Sequence, residues 1–210
     1  MSKLQTNQIQ HTANGAAVYT LPQTDGSAGQ VLQTNGSGVL SWVTLPAAST
    51  ALNMVDQWRY ITHTALNNTA TFFTTTNNWE RVDSGGQGVI ITSGGMTQAG
   101  GIFSFPLPGV YKVEWEGYFE DTDDSGQNAV SIYVSTDGGS NFNRRANQIT
   151  NVGNHNTYSY GYVGCSSFVD VTNVSDVKVK FRAISDASVS FDGSSTENRN
   201  AATFLRLGDT

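Results

Sequence analysis

Glu114 and Glu116 stand two residues apart in the run VYKVEWEGYFE. On a β-strand they project from one face about 6.6 Å apart, within the range of the paired carboxyls of an inverting glycosidase. Catalysis would also require one carboxyl to sit in a pKa-raising pocket facing a sugar groove. Lys112, Glu114, Glu116 and Glu120 instead alternate with apolar residues, the pattern of a solvated or subunit-facing strand, so no enzyme is expected. Arg144-Arg145 is the longest basic run. With Tyr133 these arginines are the expected contacts for an acidic ligand, although neighbours on a strand point to opposite faces. Tyr158, Tyr160 and Tyr162 line one face of another strand, where an aromatic stripe either stacks on sugars or packs between subunits. Packing between subunits is the expectation, with Phe204 joining them. His11, His63 and His155 occur in no HxH or HExxH spacing, so neither a zinc site nor a base–nucleophile pair is expected.

Two turn sequences carry motifs. Asp121 to Gly126, DTDDSG, resembles the first half of a DxDxSG calcium loop, in which alternating oxygens and a glycine turn wrap a hard cation. Ile132 stands where the twelfth-position acid belongs. Asp121 and Asp123 are the expected ligands should another chain complete the site; otherwise the loop is an exposed acidic turn, and no other cofactor is expected. Ser135 to Phe142, STDGGSNF, fits the SxDxGxxF pattern of the Asp box and resembles hairpins of sialidases and other glycan-related proteins. In such a hairpin the aspartate caps backbone N–H groups and the aromatic residue anchors the turn. A single copy without a set of carboxylate-binding arginines reads as a structural hairpin, with glycan binding as the functional alternative.

These residues must be positioned by strands. Charged residues make up 13% of the 210-residue chain, about half the ~25% of ordinary soluble proteins, and there are 22 glycines. That composition suits short strands and tight turns. Tyr111, Val113, Trp115 and Phe119 form one apolar face, Val130, Ile132 and Val134 a second, and Val177, Val179 and Phe181 a third. Further strands are expected near residues 58–61, 88–92, 101–105, 158–165, 188–191 and 202–207, with one helical turn at 51–56. The spacing is that of an antiparallel sandwich or barrel. Residues 1–50 differ: they carry Lys3 and Asp25 as their only charges, and their apolar residues come in twos and threes between glycine-rich turns. Such a segment cannot bury enough surface to offset its own ordering entropy, so it is expected to dock on copies of itself or on another protein. The formal net charge of -6 argues against nucleic-acid binding. No run approaches the ~18 to 20 apolar residues of a membrane span, and none near the start serves as a signal-peptide core, so folding in a cytoplasm is expected. Cys165, the only cysteine, reads as a small buried hydrophobe.

The stretch GIFSFPLPGVYKVEWEGYF, with Gly101, Phe103, Pro106, Pro108, Gly109 and Tyr111, resembles the GxFxxPxPGxYxF segment of the jelly-roll head domain shared by complement's first component and tumour necrosis factor. The closing AATFLRLGD resembles the last core strand of the same family. The resemblance implies an all-β, antiparallel, ten-strand-type jelly roll over residues 56–210, assembled as a tight homotrimer. LQTNQIQHTANGA and LPQTDGSAGQVLQTNGSGVLSW are similar to N-terminal segments of tail-fibre and related virion proteins of tailed bacteriophages. That resemblance implies that residues 1–50 attach to other phage structural proteins, with Val31, Leu32, Leu40 and Trp42 as the expected contacts. The combined expectation is a structural phage virion protein, a trimeric tail fibre or spike on an external appendage, made in the host cytoplasm. Its jelly-roll tip would attach to a host glycan or protein receptor. The alternatives are a capsid or tail decoration protein without receptor binding, and a carbohydrate-active enzyme.

Overall fold

The structure is a computed structural model and describes residues 6–10, 18–45, 52–66, 68–92, 94–121 (at Asp121 the backbone alone), 126–151, 159–186 and 188–210. It divides into two compact units, Met1–Ser49 and Thr50–Thr210. The first holds two antiparallel pairs: β1 (Gln8–Gln10) with β2 (Val18–Thr20), and β3 (Gln30–Thr34) with β4 (Leu40–Thr44). The β3–β4 turn is closed by the Asn35 side chain, whose Oδ1 accepts from the amides of Ser37 at 2.8 Å and Val39 at 3.1 Å. Trp42 donates its indole N–H to the Thr24 carbonyl at 2.9 Å and lies flat on Gly26. A side chain at Gly26 would meet the indole at 2.6 Å, so the TDGSAG glycine is there for close approach.

In the second unit the strands are β5 (Met54–Tyr60), β6 (Thr64–Ala65), β7 (Ala70–Phe72), β8 (Trp79–Arg81), β9 (Ile90–Ile91), β10 (Thr97–Ala99) and β11 (Ile102–Ser104). They continue with β12 (Gly109–Asp121), β13 (Gln127–Ser135), β14 (Asn143–Asn151), β15 (Ser159–Val171), β16 (Lys178–Ser185), β17 (Val189–Phe191) and β18 (Ala201–Gly208). One sheet runs β10-β11-β16-β13-β14, with β7 also on β16. The other runs β6-β17-β12-β18-β5-β8, with β15 along the free side of β12 and β9 on β5. β12 pairs with β15 over Gly109 to Asp121, while β13 and β14 lie in the opposite sheet. The chain therefore crosses between layers as a Greek key does.

Alternation decides the layers. Tyr111, Val113, Trp115 and Phe119 of β12 face Val130, Ile132 and Val134 of β13 and Val179 and Phe181 of β16 in one buried core. Trp115 stacks on Phe181 from the other sheet at 4.9 Å and 29°, and its indole N–H reaches the Arg182 carbonyl at 3.3 Å. Phe204 is fully buried here, 5.3 Å from Phe103 across the sandwich. That corrects its expected place in an interface: its parity on β18 turns it inward, and Leu205 and Thr203 take the outward positions opposite Lys112 and Glu114. The helical turn expected at 51–56 is also replaced, because β5 pairs with β18 from Met54 onward. The Pro-Gly segment carries the chain from β11 into β12. Gly109 has φ 141°, a side chain there would strike the Gly208 carbonyl at 2.4 Å, and Arg206 donates to the Pro108 carbonyl at 3.0 and 2.7 Å. The Tyr111 hydroxyl donates to Leu107 at 2.8 Å.

A charge lies buried on β5. Asp56 is 0% exposed and accepts from Arg81 at 3.0 and 3.2 Å and from the Met96 amide at 2.7 Å. Arg81 in turn covers the Trp58 ring at 4.6 Å. The Asp-box turn sets the start of β14. The Asp137 carboxylate accepts from the Ser135 hydroxyl at 2.6 Å and from the Asn141 amide and side chain at 2.9 and 2.7 Å. The Gly139 amide donates to Ser135 Oγ at 2.9 Å.

Asp56→Ala leaves the guanidinium and an amide without their acceptor, so chemical denaturation should show a loss of about 3–5 kcal/mol; a loss below about 1 kcal/mol would show that water replaces the carboxylate. Hydrogen bonds from Ser135 and Asn141 hold the Asp137 carboxyl down at about 2. Its folded value lies below the ordinary ~3.9, so the turn's contribution is complete above about pH 4 and is lost as pH falls through about 2. An NMR titration of that carboxyl carbon should find its midpoint near pH 2, and an ordinary midpoint would refute the bonding.

Candidate functional site

The two sandwich faces that point to solvent differ in chemistry. On the eight-stranded sheet, the outward positions of β15 are Tyr160, Tyr162, Gly164, Ser166 and Phe168, set by their pairing with Glu120, Tyr118, Glu116, Glu114 and Lys112 of β12. Tyr160 and Tyr162 are 56% and 52% exposed and Phe168 is 69% exposed. Tyr160 stacks on Tyr118 at 5.6 Å and 24°. The sequence-expected stripe is therefore present at Tyr160 and Tyr162, and Tyr158 lies outside the described residues. Phe168 was missed because the expected strand ended at residue 165, whereas β15 runs on to Val171.

Glu114 and Glu116 border a hollow of about 200 Å³ with Gly164, Cys165 and Ser166. Both lie on the outward face, as their spacing predicts, and each engages a neighbour. Lys112 Nζ is 2.6 Å from Glu114, and the Tyr162 hydroxyl bonds Glu116. Burial, then that bond, raises the Tyr162 pKa. Cys165 is turned the other way, packed against the core, and burial pushes its thiol up to about 12. A neutral, half-buried thiol of this kind is a packing residue and a poor nucleophile.

On the six-stranded sheet, Tyr133 and Arg144 are brought directly opposite each other on the outward face, while Arg145 is the extra residue of a β-bulge between Ile132 and Tyr133. Arg145 lines a different hollow, with Phe168, Val169 and Asp170. The two arginines thus part company, as neighbours on a strand do, and Arg144 gains other company. Tyr133 meets the Phe72 ring edge-on at 5.0 Å and accepts from Arg182 at 2.7 Å. Lys180 lies over the rings of Phe72 and Phe142, at 4.1 and 4.2 Å. Sequence reading missed Phe72, Lys180 and Arg182. The alternation of Lys178, Lys180 and Arg182 against the apolar face of β16 was the available signal.

Of the acidic loop, Asp123 lies outside the described residues, as does the side chain of Asp121; among the described residues no group of three or more metal-ligating side chains occurs. His63 Nδ1 sits 2.8 Å from Asp192, and His11 and His155 lie outside the described residues. In the first unit Val31 pairs with Val43 and Leu32 with Trp42, and Val31 and Leu32 are exposed; Leu40 and Trp42 are half-buried.

No protein-family model matches the sequence, and no curated protein matches it. Among solved structures the chain is similar to that of Eiger TNF from S. frugiperda, at 10% identity and a TM-score of 0.52, over 76% of this chain and 95% of that one. At that identity the likeness speaks of architecture alone: the sandwich is a TNF-like jelly roll.

Proposed function

We propose that the chain is a non-enzymatic structural protein of a tailed-phage virion, a homotrimeric fibre or spike. In this reading residues 1–50 attach to the particle and the jelly roll meets the host surface. The observation that carries the trimer is the strip of Tyr160, Tyr162 and Phe168 on one face of β15. Large exposed aromatic side chains grouped on a sheet face are the usual mark of an interface. Three copies arranged about an axis would cover that strip, and three tips would turn weak contacts into useful avidity.

The phage assignment is supported by the similarity of residues 4–42 to virion attachment segments. It is also supported by burial: among the described residues of Met1–Ser49 none is buried, so this unit has apolar surface to give to a partner. The non-enzymatic reading is supported by Glu114 and Glu116, which are engaged by Lys112 and Tyr162.

Light scattering on the purified protein at micromolar concentration should give three times the chain mass of 22.5 kDa, and a stable monomer would refute the trimer. Phe168→Glu should shift that mass toward the monomer without loss of strand signal in circular dichroism. Deleting residues 1–46 should abolish incorporation into particles while the jelly roll stays folded; continued incorporation would overturn the role given to the first unit. Retention on particles without any binding to host cells would favour a decoration protein.

A further inference from the structure

Of the chain's eleven lysines and arginines, Lys3 alone lies outside the described residues. The others divide by place. Arg59, Arg81, Lys112, Arg199 and Arg206, on the eight-stranded sheet or in the loop entering β18, each hold a carboxylate. Arg144 and Arg145 on β14, and Lys178, Lys180 and Arg182 on β16, are in no ion pair with a described residue. In a chain of net charge -6, carboxylates are plentiful, so unpaired cations gathered on one sheet mark a surface with a use for them.

The cations are also held in place. Lys178, Lys180 and Arg182 follow one another at every second residue of β16, about 6.6 Å apart, with Arg144 on the same face across β13. The rings of Phe72 and Phe142 brace Lys180, and Phe72 and Tyr133 brace Arg182 at 5.6 and 5.9 Å. Arg182 Nε is buried without a hydrogen-bond partner. Such bracing removes rotamer freedom and part of the hydration shell before any ligand arrives, which lowers the cost of binding an anion. Burial lowers the Lys180 pKa, and an anion beside it would reverse that cost.

Next to this row lies a hollow of about 190 Å³ lined by Gln127, Arg144, Asn147, Ile149, Ile184 and Asp186, among others. A cation, a carboxylate, two amides and two aliphatic side chains suit the hydroxyls and the apolar face of a sugar ring. They suit nucleic acid less, because the aromatic faces already hold cations and so offer no platform for stacked bases. We infer that the outward face of the six-stranded sheet binds an acidic polysaccharide. Its anionic groups lie along Lys178, Lys180, Arg182 and Arg144, and one sugar ring occupies the adjoining hollow. This names the ligand class of the host-attachment role proposed above and rests on that reading for its biological meaning.

The full chain should bind immobilised polygalacturonate or dextran sulfate, carrying carboxylate and sulfate respectively, and should ignore neutral dextran. Affinity should fall as salt rises. Arg144→Gln and Arg182→Gln should each weaken binding about tenfold or more. Arg144 is exposed, so its variant should keep the wild-type melting temperature and excludes misfolding as the cause. Absence of binding to both acidic polymers at low salt, unchanged affinity in both variants, or equal affinity for duplex DNA would overturn the inference. Adsorption to host cells separates it from the attachment reading. Variants that lose the polymer but still adsorb like wild type overturn this face as the receptor site and leave attachment standing. A wild-type protein that binds the polymer but no cells upholds the site and overturns attachment.

Discussion

The stack of Trp115 on Phe181 joins the two sheets within the core of the sandwich, and the two solvent faces depend on it. Trp115 belongs to β12, whose other face carries Lys112, Glu114 and Glu116; Phe181 belongs to β16, whose other face carries Lys180 and Arg182. With a side-chain period of two, fixing one residue of a strand inward fixes its neighbours outward. One aromatic contact across the core therefore sets what both solvent faces display. The rings of Phe73, Trp79, Phe103 and Phe191 extend the same packing, so few rotations of these strands keep the interior filled.

The first unit obeys the opposite constraint. Its hairpin is built from good turn chemistry, with Asn35 and the Trp42–Gly26 contact, and it still buries no described residue. Turns can set a register, but they cannot replace a core. A segment of this kind is specified locally, and in the attachment role proposed above its neighbours would supply the burial it lacks.

Alternation made most of the sandwich legible: β12, β13 and β16 could be read residue by residue, because one wet face and one dry face leave a period of two. β14 could not. NRRANQITN has almost no apolar half, since it lies at the end of its sheet and owes its structure to the ladder with β13. β5 misled for another reason: it places Asp56 inside, and a buried carboxylate looks like a surface residue until Arg81, twenty-five positions away, supplies its partner. Phe204 misled because apolar character tells of burial without telling by what. The site was legible in part. Tyr160, Tyr162, Arg144 and Tyr133 were visible as types, whereas the bracing of Lys180 by Phe72 and Phe142 joins distant stretches of the chain and exists only once the sheet is formed.

The segregation of charge between the two faces has a physical consequence for the molecule's approach to anything charged. Glu114, Glu116 and Glu120 look out from one side of the sandwich, and Lys178, Lys180, Arg182 and Arg144 from the other, with two sheets about 10 Å apart between them. The jelly roll is thereby an electric dipole pointing through its thickness. Near a negatively charged wall such a body experiences a torque as well as a force, and it turns its cationic side inward before any contact is made. Orientation, which usually limits the rate at which two specific patches meet, is then supplied partly by the field, within the roughly 8–10 Å over which salt at ~0.1 to 0.15 M lets that field act.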